Sequence, residues 1–185
     1  MNKFSPRSAL VLTAAVALSI GSAASAKNPV VGGAAMYPTR TIVANAVNSK
    51  DHTTLVAAVK AAGLVETLSG KGPFTVFAPT NAAFGRLPAG TVETLVKPEN
   101  KGTLTSILTY HVVPGRITAG QISRLAMRNG GTARLKTVQG ATLRFRKSGS
   151  GWVVVDSKGA KARITIANVM QSNGVIHVVD RVLMP

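Results

Sequence analysis

Asn173-Gly-Val-Ile-His-Val-Val-Asp-Arg-Val-Leu-Met-Pro185 is the stretch from which the fold is read. A turn-forming pair leads into a continuous apolar, β-branched run interrupted by one His and one Asp, the composition of a buried strand. Asn173-Gly174 is expected to be the two-residue loop of a type I′ hairpin, whose central positions both require positive φ. Val175, Val178, Val182 and Leu183 are core candidates. Asp180 must accept hydrogen bonds from backbone or a polar neighbour if it is half-buried there.

Upstream, the pattern is of period two. Leu143 and Phe145 alternate with Arg144 and Arg146, residues 148–151 form a turn, and residues 152–155 return the chain. Residues 156–159 turn it again toward Ile164 and Ile166, which predicts a β-meander of three or four strands. The first half reads differently. Ile42, Val43, Ala46 and Val47 fall on one face of a short helix, and Asp51 is placed to cap a helix over 52–62 that ends at Gly63. Leu64, Val65 and Leu68 make a further short turn, and Leu104, Ile107 and Leu108 form the apolar stripe of a helix over 101–110. Residues 74–78 are a strand stopped by Pro79, after which Thr80 or Asn81 caps a helix through Phe84. Helices early and strands late make an α+β fold.

Thr75-Val-Phe-Ala-Pro-Thr-Asn-Ala-Ala-Phe84, Tyr110-His-Val-Val113 and residues 174–185 resemble, in order and spacing, the sequence motifs of the fasciclin domain, and residues 55–68 fit the helix pair that precedes the first motif. The resemblance covers about residues 41–185 and is nearest to small single-domain secreted bacterial members. It implies a fasciclin-like α+β fold, with short helices of the first half packed on a mixed β-sheet or β-wedge built largely from the second. It also implies a binding or adhesion module. Thr75, Phe77, Pro79, Thr80, Asn81, Phe84, Gly174, His177 and Asp180 match family motifs and are read as fold determinants. Tyr110 and His111 have two readings. They are either recognition residues, as the Tyr-His region of animal members suggests through integrin-dependent adhesion, or a core ring and a buried hydrogen bond. The Asp-Ile pair that accompanies the motif in those members is absent from 102–108, so integrin binding is not carried over.

Lys3 and Arg7, the apolar run over 9–20 and Ala24-Ser25-Ala26 have the three parts of a secretory signal peptide, expected over 1–26. That run is shorter than the roughly 20 residues of a spanning helix. Cleavage leaves 159 of the 185 residues. Residues 27–40, with Gly32-Gly33 and Pro38, are expected to be a flexible leader before a single domain over 41–185. A domain of this size folds without staples, so the absence of cysteine is no obstacle to export. A secreted or periplasmic monomer without cofactor or metal is expected.

The chain carries 22 Lys and Arg against 6 Asp and Glu; loss of Lys3 and Arg7 with the signal lowers the excess from +16 to +14. Arg128, Arg134, Lys136, Arg144, Arg146, Lys147, Lys158, Lys161 and Arg163 crowd into one segment that contains a single acid, Asp156. Such a field attracts polyanions. The residue inventory disfavours an enzyme. There is no Cys and no Gly-x-Ser-x-Gly elbow, and His52, His111 and His177 follow no zinc-ligand spacing. Two functions follow. One is an extracellular or periplasmic adhesion protein whose basic face, Arg134, Lys136, Arg144, Arg146, Lys147, Lys158, Lys161 and Arg163, meets acidic polysaccharide, a matrix component or an anionic membrane surface. The alternative is a carrier of a lipophilic small molecule such as a carotenoid or lipid, as algal relatives imply. Nucleic acid is an unlikely partner for an exported protein.

Overall fold

The computed structural model describes residues 28–185. The expected signal peptide lies outside them. Residues 28–40 depart from the leader expected there: β1 (Val30–Val31) and β2 (Ala34–Ala35) pair antiparallel, and Val31 and Met36 are buried in the core. The glycines that suggested flexibility are the turn, with φ of 57° at Gly32 and 76° at Gly33. A Cβ on Gly32 would stand 2.6 Å from the Asp51 nitrogen, so glycine also permits the hairpin to lie against the 49–51 backbone. The folded unit therefore begins before Thr41.

Thr41 caps α1 (Ile42–Ala46) by accepting from the Ala44 N–H. Val47 follows as its exposed C-cap, and Asn45 is the buried polar residue of this helix. The Asn45 side chain accepts from Tyr37 N–H at 3.2 Å and donates to Tyr37 O at 2.7 Å, which fastens the N-terminal hairpin to α1. The second helix, α2 (Thr53–Ala62), follows a 3₁₀ turn at Lys50–His52 and ends at Gly63 with φ 73°. Asp51 does not cap it. The cap comes from a distant residue: Asn81 Oδ1 accepts from the Thr54 N–H at 3.0 Å, while its amide donates to Lys50 O and Thr53 Oγ1. A short α3 (Val65–Ser69) then leads to β3 (Phe74–Pro79), where Thr80 caps α4 (Asn81–Phe84).

Beyond it lie α5 (Thr91–Leu95), α6 (Lys101–Tyr110) and β4 (Val112–Pro114). Next comes α7 (Ala119–Arg128), which interrupts the strand-rich half. Thr118 and Gln121 form a reciprocal capping box at its start, a spacing present in the sequence that marks a helix the period-two reading passes over. The rest is β5 (Thr132–Lys136), β6 (Thr142–Ser148), β7 (Gly151–Val155), β8 (Lys161–Gln171) and β9 (Gly174–Val179).

One seven-stranded sheet runs β4-β3-β9-β8-β7-β6-β5, parallel only between β3 and β9. Two register shifts bulge β8 between Ile164 and Val169. Bulges bend a strand and increase its twist. The sheet thereby encloses two cores: α1, α2, α3 and α6 pack with β3 and β9 around Val76, Leu108 and Ile176, while α7 and the meander enclose Phe77, Tyr110, Phe145 and Trp152. This is the fasciclin-like α+β arrangement that the resemblance implies.

The β8–β9 connection differs from the expected turn. Gln171 pairs with Gly174, so the two loop residues are Ser172 and Asn173, and neither Asn173 nor Gly174 has positive φ. Glycine is required at 174 for another reason. It pairs with Phe74 across the parallel ladder, and a Cβ would lie 2.0 Å from the Phe74 carbonyl oxygen and 3.0 Å from Ile42 Cδ1. The Asn173 side chain is buried, where it accepts from Ile42 N–H at 2.9 Å and donates to Leu68 O at 2.8 Å and Gly70 O at 2.9 Å. One loop residue thus joins α1, α3 and the sheet.

Candidate functional site: a basic face over β5 to β8

Strand parity separates the meander into two faces. Ala133, Leu135, Leu143, Phe145, Trp152, Val154, Ala162 and Ile164 are buried on the inner one. The intervening residues point out. In the ladder, Arg134 pairs with Arg144, Arg144 with Val155 and Val155 with Lys161; two residues along, Arg146 pairs with Val153 and Val153 with Arg163. Directly paired residues project to the same side. Six expected cations, Arg134, Lys136, Arg144, Arg146, Lys161 and Arg163, therefore share the outer face.

Two do not. Lys147 has inner-face parity at the β6–β7 tip, where its Nζ lies 5.6 Å from the centroid of the Trp152 ring, and Lys158 is in the turn at the other end of β7. Arg128 belongs to the last turn of α7, which packs its Ile122 and Ala126 into the inner core. Sequence clustering brought these together, but the pleat divides them.

The single acid of this segment is not on the face. Asp156 is fully buried; its Oδ1 accepts from Ala160 N–H at 2.8 Å and its Oδ2 from Met184 N–H at 3.1 Å. The ion pair found among the described residues is Arg86 with Asp180, 3.5 Å apart, at the border of this surface, where Asp180 also accepts from the Arg163 backbone N–H. The face cations thus have no carboxylate partner among the described residues. Arg144 donates from Nη2 to the Asp156 carbonyl at 3.4 Å, a long contact that orients its guanidinium. Arg144, Arg146 and Lys161 surround Val153 and Val155 in an open groove of about 280 Å³, which Lys147 also borders from the hairpin tip. The two valines are absent from a charge-based reading of the sequence, although their alternation with Trp152 and Val154 is visible in it.

The other candidate, Tyr110-His111, is enclosed. Tyr110 is 0% exposed, and its hydroxyl accepts from Ser157 N–H at 2.8 Å. His111 is 2% exposed; it donates from Nδ1 to Ile107 O at 2.8 Å and accepts at Nε2 from Leu183 N–H at 2.9 Å. A carbonyl can only accept and an amide only donate, which fixes the neutral Nδ1–H tautomer. Burial lowers the His111 pKa to about 4. With no accessible surface, the pair is a latch between α6 and the C-terminal segment, and the recognition reading of these two residues is corrected.

The motif residues have comparable roles. Thr75 Oγ1 donates to Gly115 O and accepts from Ile117 N–H. Phe77 and the His177 ring stack at 5.4 Å between centroids. His177 donates from Nε2 to Ile117 O and accepts at Nδ1 from Asn168 N–H, and Asp180 accepts from Arg163 N–H at 2.7 Å. Among the described residues no three His, Asp or Glu side chains gather into a metal-binding group, and no helix is long and apolar enough to cross a membrane.

The fasciclin domain matches residues 50–185, a span that contains these motif residues. The chain belongs to the fasciclin family. Members are generally adhesion and interaction modules without catalysis. This fasciclin protein is 52% identical over 159 residues to Protein sll1483 of Synechocystis, which covers 86% of this chain and 81% of that one. It is 37% identical over 145 residues to the immunogenic protein MPB70 of Mycobacterium bovis, covering 76% of this chain and 66% of the relative. The domain pair from the insect cell adhesion molecule fasciclin I superposes with a TM-score of 0.69 at 19% identity, over 79% of this chain and 51% of that one, which shows a common fold.

Proposed function

We propose that this fasciclin domain is an exported, non-enzymatic adhesion protein that holds acidic polysaccharide on the outer face of β5 to β8. The observation that carries this reading is the set of six cations on one sheet face, with Asp156, the one acid of that stretch of sequence, buried behind it. Like charges directly opposite in a ladder are destabilising, so Arg134 beside Arg144 costs stability unless an anion is present. Export is supported by the signal-like N-terminus. Retention on heparin should fall steeply as salt screens the face, and Arg144→Glu/Arg146→Glu should elute much earlier with no loss of melting temperature. Equal elution of the two proteins would remove the face from the binding site. Sedimentation with anionic liposomes tests the membrane alternative; binding there but not to heparin would replace the glycan reading.

The carrier reading has one observation in its favour. Ile42, Val59, Leu68, Val76 and Leu108 line an apolar cavity between α1, α2, α3 and β3, but its volume is about 40 Å³. That is room for little more than a water, far below the roughly 300 Å³ at which ligand pockets begin. A carotenoid or lipid would require α1 and α3 to move apart.

A further inference from the structure

The rows across the basic face repeat one motif. Arg144–Val155–Lys161 and Arg146–Val153–Arg163 each place a valine between two cations on three adjacent strands. Neighbouring strands lie about 4.8 Å apart, so the cationic walls on β6 and β8 stand roughly 9.5 Å from each other. Successive rows are roughly 6.7 Å apart along the strand. Val153 and Val155 are half-buried and form an apolar floor in the groove of Arg144, Arg146 and Lys161, with Arg163 beside Val153 in the ladder. A site for phosphate alone needs no such floor, since a phosphate has no apolar surface to cover it. A pyranose ring has one: its C–H faces are apolar and its edge bears the carboxylate.

The geometry points to a single polyuronate chain lying along β7, with sugar C–H faces on Val153 and Val155 and carboxylates directed alternately to Arg144 and Arg146 on one side and Lys161 and Arg163 on the other. This rests on the basic face being the glycan-binding surface and adds what the occupant must be. Arginine suits the role because its planar fork meets a carboxylate with two parallel hydrogen bonds. Charge selects a polyanion, and the floor selects sugar among polyanions.

The test compares polygalacturonate with inorganic polyphosphate by titration calorimetry on the full chain. Val153→Thr/Val155→Thr leaves every charge in place and keeps β-branched side chains on the strand. It should weaken polygalacturonate about five- to ten-fold through loss of apolar contact while changing polyphosphate by less than about two-fold. Val153→Ile/Val155→Ile should retain polygalacturonate. Arg144→Gln/Lys161→Gln should weaken both polyanions. If the double threonine variant loses its cooperative melt, Val155→Thr alone gives the same comparison. An unchanged polygalacturonate affinity in the threonine variant, or an equal loss for both polyanions, would overturn the floor while the wall variant still reports on the face. Unchanged binding of both polyanions by the wall variant would overturn the face and the floor together.

Discussion

Three histidines are buried, and burial favours the neutral ring in each. His111 and His177 have both ring nitrogens engaged by backbone groups. His52 pairs its Nδ1 with Ser49 Oγ at 2.9 Å, and its buried Nε2 has no hydrogen-bond partner. Burial lowers the pKa of all three, His111 to about 4. Between the ordinary value of 6.5 and those lowered values the unfolded chain binds protons that the native state refuses, so native stability is full above 6.5 and is lost as pH falls. His111 alone accounts for a loss on the order of 3 kcal/mol by pH 4. Urea denaturation midpoints should therefore drop steadily from pH 7.5 to 4, and a level curve across that range would show that these rings are hydrated in the native protein. The chemistry of a buried imidazole is readable from the residue type. Which three positions are buried is not, since the partners of His111 lie 4 and 72 residues away.

At the scale of elements, the parallel contact between β3 and β9 joins the two cores, and Gly174 marks where it begins. Gly174→Ala should destabilise the domain by about 3 kcal/mol or more, because the close neighbour is a ladder carbonyl that cannot rotate away. Chemical denaturation is the measurement. A loss below about 1 kcal/mol would mean that β9 shifts to accept the methyl group, which the buried side chains on both of its faces oppose. Asn173 and Asn81 play similar parts. Each uses a side-chain amide to satisfy helix-end groups on elements distant in sequence, the task that Ser, Thr or Asp ordinarily performs locally at a helix start. That is why Asp51 resembles a cap in the sequence and is not one.

The whole molecule has a formal excess of +16, and much of the unpaired charge faces one way. Self-repulsion across that face should make stability salt-dependent. The melting temperature should rise by a few degrees from about 0.01 M to 0.1 M sodium chloride, as the Debye length contracts from about 30 Å to 10 Å. Arg134→Gln should raise it at low salt, since the cross-strand Arg134–Arg144 pair costs about 0.2 to 1 kcal/mol. Differential scanning calorimetry at two ionic strengths measures both effects. A wild-type melt insensitive to salt would show that the arginines splay far enough apart to be fully hydrated.

What could be read without the structure was local or periodic: the helices over 42–46 and 101–110, the alternation of the meander, the cationic segment and the family motifs. These follow from side-chain volume, branching and charge at neighbouring positions, which the chain carries whether folded or not. Alternation even implied that Arg144 and Arg146 share a face. Register across strands belongs to the tertiary structure, because it depends on which segments meet. It placed valines between cations, set Lys147 at the hairpin tip beside Trp152 and Lys158 in a turn, hid Asp156 behind the face and turned a glycine-rich leader into a hairpin with Val31 and Met36 in the core. It also transferred the need for Gly174 from backbone torsion to the space beside Phe74, a constraint that exists only once two strands 100 residues apart lie side by side.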